Sequence, residues 1–321
     1  MHPIPYLAER QCGVFSASQA ASEGWTQDAL RWAVRRGRLS RLRAGVFQST
    51  EIDYRSTFDR QRWLHAAPAI AGVLATPGAM ASHSTAAILR GLPLAFLPEY
   101  ACLSVVPWHT GEVHGVHVHR TTSEELACPV AAVTCSTAAR AAVDLAREHG
   151  AHAGVVPLDY ALRHGLTDED ELTQTLHHCR RWPGVVAARK AVAMADPRSE
   201  SPLESLSRLK FEPYDIPMPE LQTSIGDEHR RFLGRVDFFW REFGVVGECD
   251  GALKYVGDGK PSALMDEKAR QERLEEVGLI VVRWGWTDLA RFDAVADRLR
   301  RAFGRASSRP IADRRWTTLP L

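Results

Sequence analysis

The stretch "RVDFFWREFGVVGECDGALKY", residues 235–255, decides how the C-terminal third of the chain is read. Residues 235–240 and 245–250 are apolar runs of strand length, and "REFG" (241–244) between them is a polar turn ending in Gly. Asp237, Glu248 and Asp250 stand inside these runs, and Lys254 follows. A carboxylate in a strand built for burial is costly unless it is paired. With 241–244 as the hairpin loop, Trp240 faces Val245, and the same register sets Asp237 opposite Glu248 and Arg235 opposite Asp250. Alternation then puts Glu248 and Asp250 on one face of their strand. One face of one hairpin is expected to hold three carboxylates, and a hard divalent cation would relieve their repulsion. The competing reading is an ion network in which Arg235, Lys254 and Lys268 neutralise the acids.

The flanking segments extend this pattern. Upstream, "SPLESLSRLKF" (201–211) predicts a helix with Pro202 in its first turn and Glu204 inside it. Downstream, "EKARQERLEEVGLIVVRWGWTDL" (267–289) reads as a helix followed by a strand. Over about residues 198–303 this ordered set resembles the PD-(D/E)XK nucleases, within them the branch similar to very-short-patch-repair endonucleases. The resemblance implies a restriction-endonuclease-like α/β/α domain over 196–305, with 306–321 as a tail. It implies Glu204 as the helix acid, Asp237 and Glu248 as the strand acids, and Mg2+ or Mn2+ held by Asp237, Glu248 and Asp250. The following helix would offer Lys268, Arg270 or Gln271 to the site. Where the family motif has Lys this chain has Asp250, so Lys254 or Lys268 would supply the ammonium. The reaction implied is metal-assisted phosphodiester hydrolysis, and nucleases of this fold that cut both strands pair, which makes a homodimer a candidate assembly.

The N-terminal 1–50 carry a different signal. "FSASQAASEG" starts a helix at Ser16 or Ser18 and stops it at Gly24. Thr26 is then placed to cap "QDALRWAVRRG", which Gly37 ends. "RLSRLRAGVFQS" follows as a short hairpin. Helix, turn, helix and hairpin describe a winged helix-turn-helix. Arg31, Arg35, Arg36, Arg38, Arg41 and Arg43 fall between positions 31 and 43 with no acid among them. Such a stripe neutralises phosphates, and DNA is the expected partner; a solvated helix face is the plainer alternative. Gln27, Arg31 and Arg35 are expected to reach bases or phosphates, and Arg41 and Arg43 to follow the backbone or minor groove.

Residues 51–195 read as a mixed α/β stretch. "MASHSTAAILRGLPL" and "TCSTAARAAVDLAREHG" are helices, and "ACLSVVP" and "GVHVHR" are strands. His114, His117 and His119 invite a metal reading, but 117 and 119 simply alternate on one face of a strand, so exposed strand histidines are the expectation. Across roughly 10–175, "GVFSASQA", "WTQDALRWAVRRGRLSRLRAGVF", "SHSTAAILRGLPL" and "STAARAAVDLA" resemble the AbiEi-type antitoxins and transcriptional regulators of bacteria. That resemblance implies promoter DNA as ligand and a toxin encoded nearby as partner, with the C-terminal domain inert on this reading.

The fold class expected is therefore α/β multidomain. The net charge of +1 hides the local segregation of arginines. No apolar run approaches the roughly 18 residues of a membrane span. Six scattered cysteines without a C-x-x-C pair argue against a disulfide framework and for a reduced, cytoplasmic setting.

Overall fold

The computed structural model describes residues 5–106, 110–121, 127–250, 261–307 and 314–320, with the side chains of 261–267 excluded. The chain divides into two compact units, residues 1–196 and 197–321.

In the first unit, α1 (Tyr6–Glu9) and β1 (Val14–Ser16) precede the expected pair of helices, α2 (Ala17–Ser22) and α3 (Gln27–Arg35). Ser16 caps α2 with a full capping box through Gln19, and the Thr26 hydroxyl accepts from Ala29 N at the start of α3. The hairpin β2 (Leu39–Arg43) and β3 (Val46–Ser49) follows, and β1 joins it in the order β1-β3-β2. Phe15, Trp25 and Phe47 form the aromatic centre beneath α2 and α3.

The same unit continues with α4 (Thr57–Ala75), β4 (Met80–Ala81), α5 (His83–Leu89), β5 (Ala101–Val105), β6 (Gly111–Val113) and β7 (Val116–Arg120). Four helices complete it: α6 (Ala138–His149), α7 (Ala151–Arg163), α8 (Glu169–His178) and α9 (Val185–Met194). The second sheet runs β4-β5-β7-β6, with β5 and β7 parallel. Cys12, Val14 and Val46 share one core with Ile70 of α4 and Leu103 of β5. Residues 1–50 and 51–195, read from sequence as separate domains, are thus fused through a common interior.

The second unit opens with α10 (Pro202–Phe211), which Ser201 caps with Pro202 at its first position. Next come β8 (Glu220–Asp227), β9 (Phe232–Trp240), β10 (Val245–Asp250), α11 (Pro261–Glu276) and β11 (Ile280–Gly285). Two helices, α12 (Trp286–Leu289) and α13 (Phe292–Ser307), precede β12 (Trp316–Leu319). The sheet order is β11-β10-β9-β8-β12, antiparallel except for the β10–β11 pair. The segment 306–321 is therefore no simple tail, because β12 closes the sheet edge against β8.

Two cores flank this sheet. Phe211, Phe238, Trp240, Trp284 and Phe292 pack with α10 and α13, while Val236, Phe239, Val246 and Leu274 pack with α11. Gly247 sits where a side chain has no room: a Cβ there would lie 2.6 Å from Trp284 and 3.0 Å from Trp240. Gly247→Ala should cost about 1–3 kcal/mol through overpacking, read as a lower urea midpoint for the second unit, whereas an unchanged midpoint would show that the indoles can shift freely.

Candidate functional site

The hairpin at 235–250 turns where the sequence places its turn: Trp240 pairs with Val245, Phe239 with Val246 and Phe238 with Gly247. The ladder stops there, so Asp237 is not the strand partner of Glu248. Instead the Asp237 carboxylate turns inward, and its Oδ2 accepts the Cys249 N–H at 2.7 Å. The local reason is a break in alternation. Val236 belongs to one core while Phe238, two residues on, belongs to the other, and on the neighbouring strand Gln222 takes a left-handed φ of 51°. From that conformation Gln222 Nε2 donates to Glu204 Oε2 at 2.9 Å and to Asp237 Oδ1 at 3.3 Å.

Glu204 reaches the site from the first turn of α10, where it also completes the cap by accepting from Ser201 Oγ and Glu200 N. Glu248 stands on β10 and accepts a fork from Arg270 of α11, at 3.2 and 2.8 Å. Burial pushes the Glu248 carboxyl up to about 7; Arg270 opposes that rise and Asp237 adds to it. Burial, reinforced by Asp237, also raises Glu204, against hydrogen bonds from Glu200 N, Ser201 and Gln222. Half-buried Asp237 thus acts on both buried glutamates, Glu204 and Glu248.

Other expectations are corrected. Arg235 lies beside Ser224 in the sheet and pairs with Glu200 at 2.7 Å, not with Asp250. Asp250 lies 3.4 Å from Arg283 of β11. Lys268 is largely exposed and faces Glu272 on its own helix at 3.8 Å, away from the role of site ammonium. Lys254 lies outside the described residues. Of the three α11 candidates, Arg270 is the one that contacts an acid of the site, while Gln271 binds Glu275. Gln222, Arg270 and Arg283 emerge as site residues; only Arg270 has a signal in the sequence, one helical step from the alternatives.

The first unit sorts the arginine stripe. Gln27, Arg31, Arg35 and Arg41 line one groove with Leu30, Val34 and Phe47, between α3 and the hairpin. Arg31 also contacts Asp28 at 3.0 Å. Arg36 lies over the Trp32 ring instead. Arg38 is clamped by both oxygens of Glu51 at 2.7 Å, which neutralises it, and Arg43 lines a different pocket with Gly72, Leu103 and Val105. Arg38 and Arg43 therefore leave the predicted surface. Of the three histidines, His114 is exposed in the turn before β7, whereas His117 and His119 face Glu148 of α6 rather than solvent alone.

Comparison with known proteins finds a family match at the N-terminus. Residues 2–50 match the family model described as "Transcriptional regulator, AbiEi antitoxin". Two curated relatives, "Uncharacterized protein MT2308" and "Uncharacterized protein Rv2248", come from the Mycobacterium tuberculosis strains CDC 1551 / Oshkosh and ATCC 25618 / H37Rv. Each is 32% identical over 168 residues, 52% of this chain and 57% of the relative. The chain thus spans little more than half the length of these relatives. No helix among the described residues is long and apolar enough to cross a membrane.

The raised Glu248 carboxyl fixes the sign of a pH effect. Between 4.5 and about 7 the folded state holds a proton that the unfolded state releases, so this group's contribution to stability falls as pH rises through that window. In urea unfolding compared at about pH 5 and about pH 8, Glu248→Gln should narrow the loss of stability relative to wild type. An equal loss in both proteins would contradict the placement of Glu248.

Proposed function

We propose that this chain binds DNA through residues 2–50, folded as a winged helix-turn-helix, and carries a metal-dependent endonuclease site of the PD-(D/E)XK type in residues 197–321. The observation that carries the second half is the convergence of Glu204, Asp237 and Glu248 from one helix and two strands of an α-β-β-β-α-β run. The groove of Gln27, Arg31, Arg35 and Arg41, together with the family match, supports the first half.

Glu204, Asp237 and Glu248 offer carboxylate oxygens, the ligands that hard divalent cations prefer. Burial raises the carboxyls of Glu204 and Glu248, and Asp237 adds to both, so a bound cation would stabilise their ionised forms. Asp237 and Glu248, with Asp250 beside them on β10, would hold Mg2+ or Mn2+. That ion, when bound, polarises a phosphate and lowers the pKa of a water. Gln222 holds Asp237 and Glu204 in register, and Arg270 is the cation placed to meet charge developing on the phosphate, in the part the resemblance gives to Lys.

One observation favours a second reading: Glu248 is already matched by the Arg270 fork. On that reading the chain is a transcriptional regulator or antitoxin with a toxin partner, and its second unit does not cut.

A plasmid-nicking assay with Mg2+ or Mn2+ separates the two. Wild type should nick, and Asp237→Ala should lose nicking while retaining DNA binding; wild type that never cuts any DNA or RNA offered would leave only the regulator. For the first unit, Arg31→Ala and Arg35→Ala should each weaken DNA binding and lower the slope of log affinity against log salt by about 1. Arg38→Ala should change the slope less, because Glu51 already neutralises that side chain; equal losses at all three positions would refute the assignment of the groove.

A further inference from the structure

A second group of polar side chains lies inside the first unit, apart from the arginine groove. His83 opens α5, Cys102 stands on β5, His119 on β7 and Glu148 near the end of α6. One ligand atom from each of the four lies within 4.8 Å of every other. Because β5 and β7 are parallel, with Cys102 beside His117 and Ser104 beside His119, alternation sends Cys102, His117 and His119 to one face of the sheet.

The two imidazoles are in the form a metal requires. The His83 and His119 rings stack at 3.8 Å between centroids and 20° between planes, with Glu148 Oε2 at 3.6 Å from His83 Nε2 and 3.5 Å from His119 Nε2. His119 Nε2 is buried and has no hydrogen-bond partner. Burial, then the neighbouring His83 and His117, pushes His119 down to about 2, and burial lowers His83 as well, so both imidazoles are neutral with lone pairs to give. On the far side of the His83 ring, Nδ1 lies 3.1 Å from Ser82 Oγ; this contact fixes the ring and turns Nε2 to the cluster. Asp144 is already committed to Arg140 and Arg147, both at 2.6 Å, which leaves Glu148 as the carboxylate for the group.

The backbone supplies an independent sign. His83 takes a φ of 47°, a left-handed conformation costly to a residue with a Cβ. It does so at the first position of α5, where the turn aims a nearly fully buried imidazole at Glu148.

We infer that His83, Cys102, His119 and Glu148 form a structural zinc(II) site. Two nitrogens, one sulfur and one carboxylate oxygen match tetrahedral zinc chemistry. Ligand atoms about such an ion stand roughly 3.3–3.8 Å apart, so closure needs contraction of about an ångström from the widest separation. The Cys102 thiol, which burial raises to about 12, loses its proton to solvent as the Zn–S bond forms. One thiolate and one carboxylate then balance the two positive charges. Four protein ligands close the site, so its role is to bind α5, β5, β7 and α6 together rather than to catalyse. His117, whose Nδ1 lies 3.0 Å from Glu148 Oε1, is the residue that orients the carboxylate.

The full-length protein, purified without chelator, should contain one zinc per chain by elemental analysis. Cobalt substituted for zinc should give the intense visible bands of a tetrahedral ion and a thiolate-to-cobalt charge-transfer band. Cys102→Ser should abolish the charge-transfer band, and Cys102→Ser with His119→Gln should lower zinc affinity by more than about 100-fold. His117→Ala should weaken it by about 10- to 100-fold. Folded wild type that takes up no zinc when titrated with the metal alone would overturn the inference. Stoichiometric zinc that survives the double substitution would place the metal elsewhere and equally overturn it.

Discussion

The second unit depends on where β9 and β10 stop pairing. Their ladder ends at Phe238 and Gly247, and the next acceptor for the Cys249 N–H is the Asp237 carboxylate. A buried backbone donor must be satisfied, so this substitution explains why an acid stands in an apolar strand. Packing sets the stopping point. Trp284 stacks on Phe238 at 5.5 Å and 14°, in the space that the missing Gly247 side chain leaves, and its Nε1 donates to Ser207 of α10 at 2.8 Å. Ser207 also lies 3.6 Å from Cys249 Sγ. One chain of contacts therefore seats α10 against the sheet, and with it the first-turn Glu204. The acids do not meet because they attract a cation in the sequence; they meet because the indole, the glycine and the strand ends bring them together.

In the first unit the constraint is partition of charge. A net charge near zero conceals arginines whose fates differ by what lies within reach. Glu51 takes Arg38, the Trp32 ring takes Arg36, and the core side of the second sheet takes Arg43. Gln27, Arg31, Arg35 and Arg41 remain together on one groove, presented on one helix and one strand, with Arg31 also beside Asp28. Positioning by caps at Ser16 and Thr26 makes this arrangement reproducible rather than a loose basic tail.

Much of this was legible from residue order. Caps at Ser16, Thr26 and Ser201, the turn at 241–244 and the order of elements around the acidic hairpin follow from local chemistry, which the sequence carries directly. Register beyond Phe238 is not legible, because period-2 arithmetic assumes an unbroken ladder, whereas β9 and β10 stop pairing at Phe238 and Gly247 and Val236 and Phe238 enter different cores. Ion partners were misassigned for a related reason: Arg270 and Arg283 arrive from other elements, and no spacing rule inside the hairpin can see them. The grouping of His117 and His119 is hidden likewise, since Cys102 and Glu148 become their neighbours only through a parallel strand pair and a packed helix. The strand at 316–319 is not legible, because four residues after a helix give too short a pattern to read.

On the proposed function the acids of the second unit hold a divalent cation, and Mn2+ titration followed by electron paramagnetic resonance tests that most directly. Wild type should remove free Mn2+ from solution more tightly as pH rises through about 7, where Glu248 ionises, and Asp237→Asn should lose that binding. Mn2+ uptake that is unchanged by Asp237→Asn, or no uptake by folded wild type, would contradict the account.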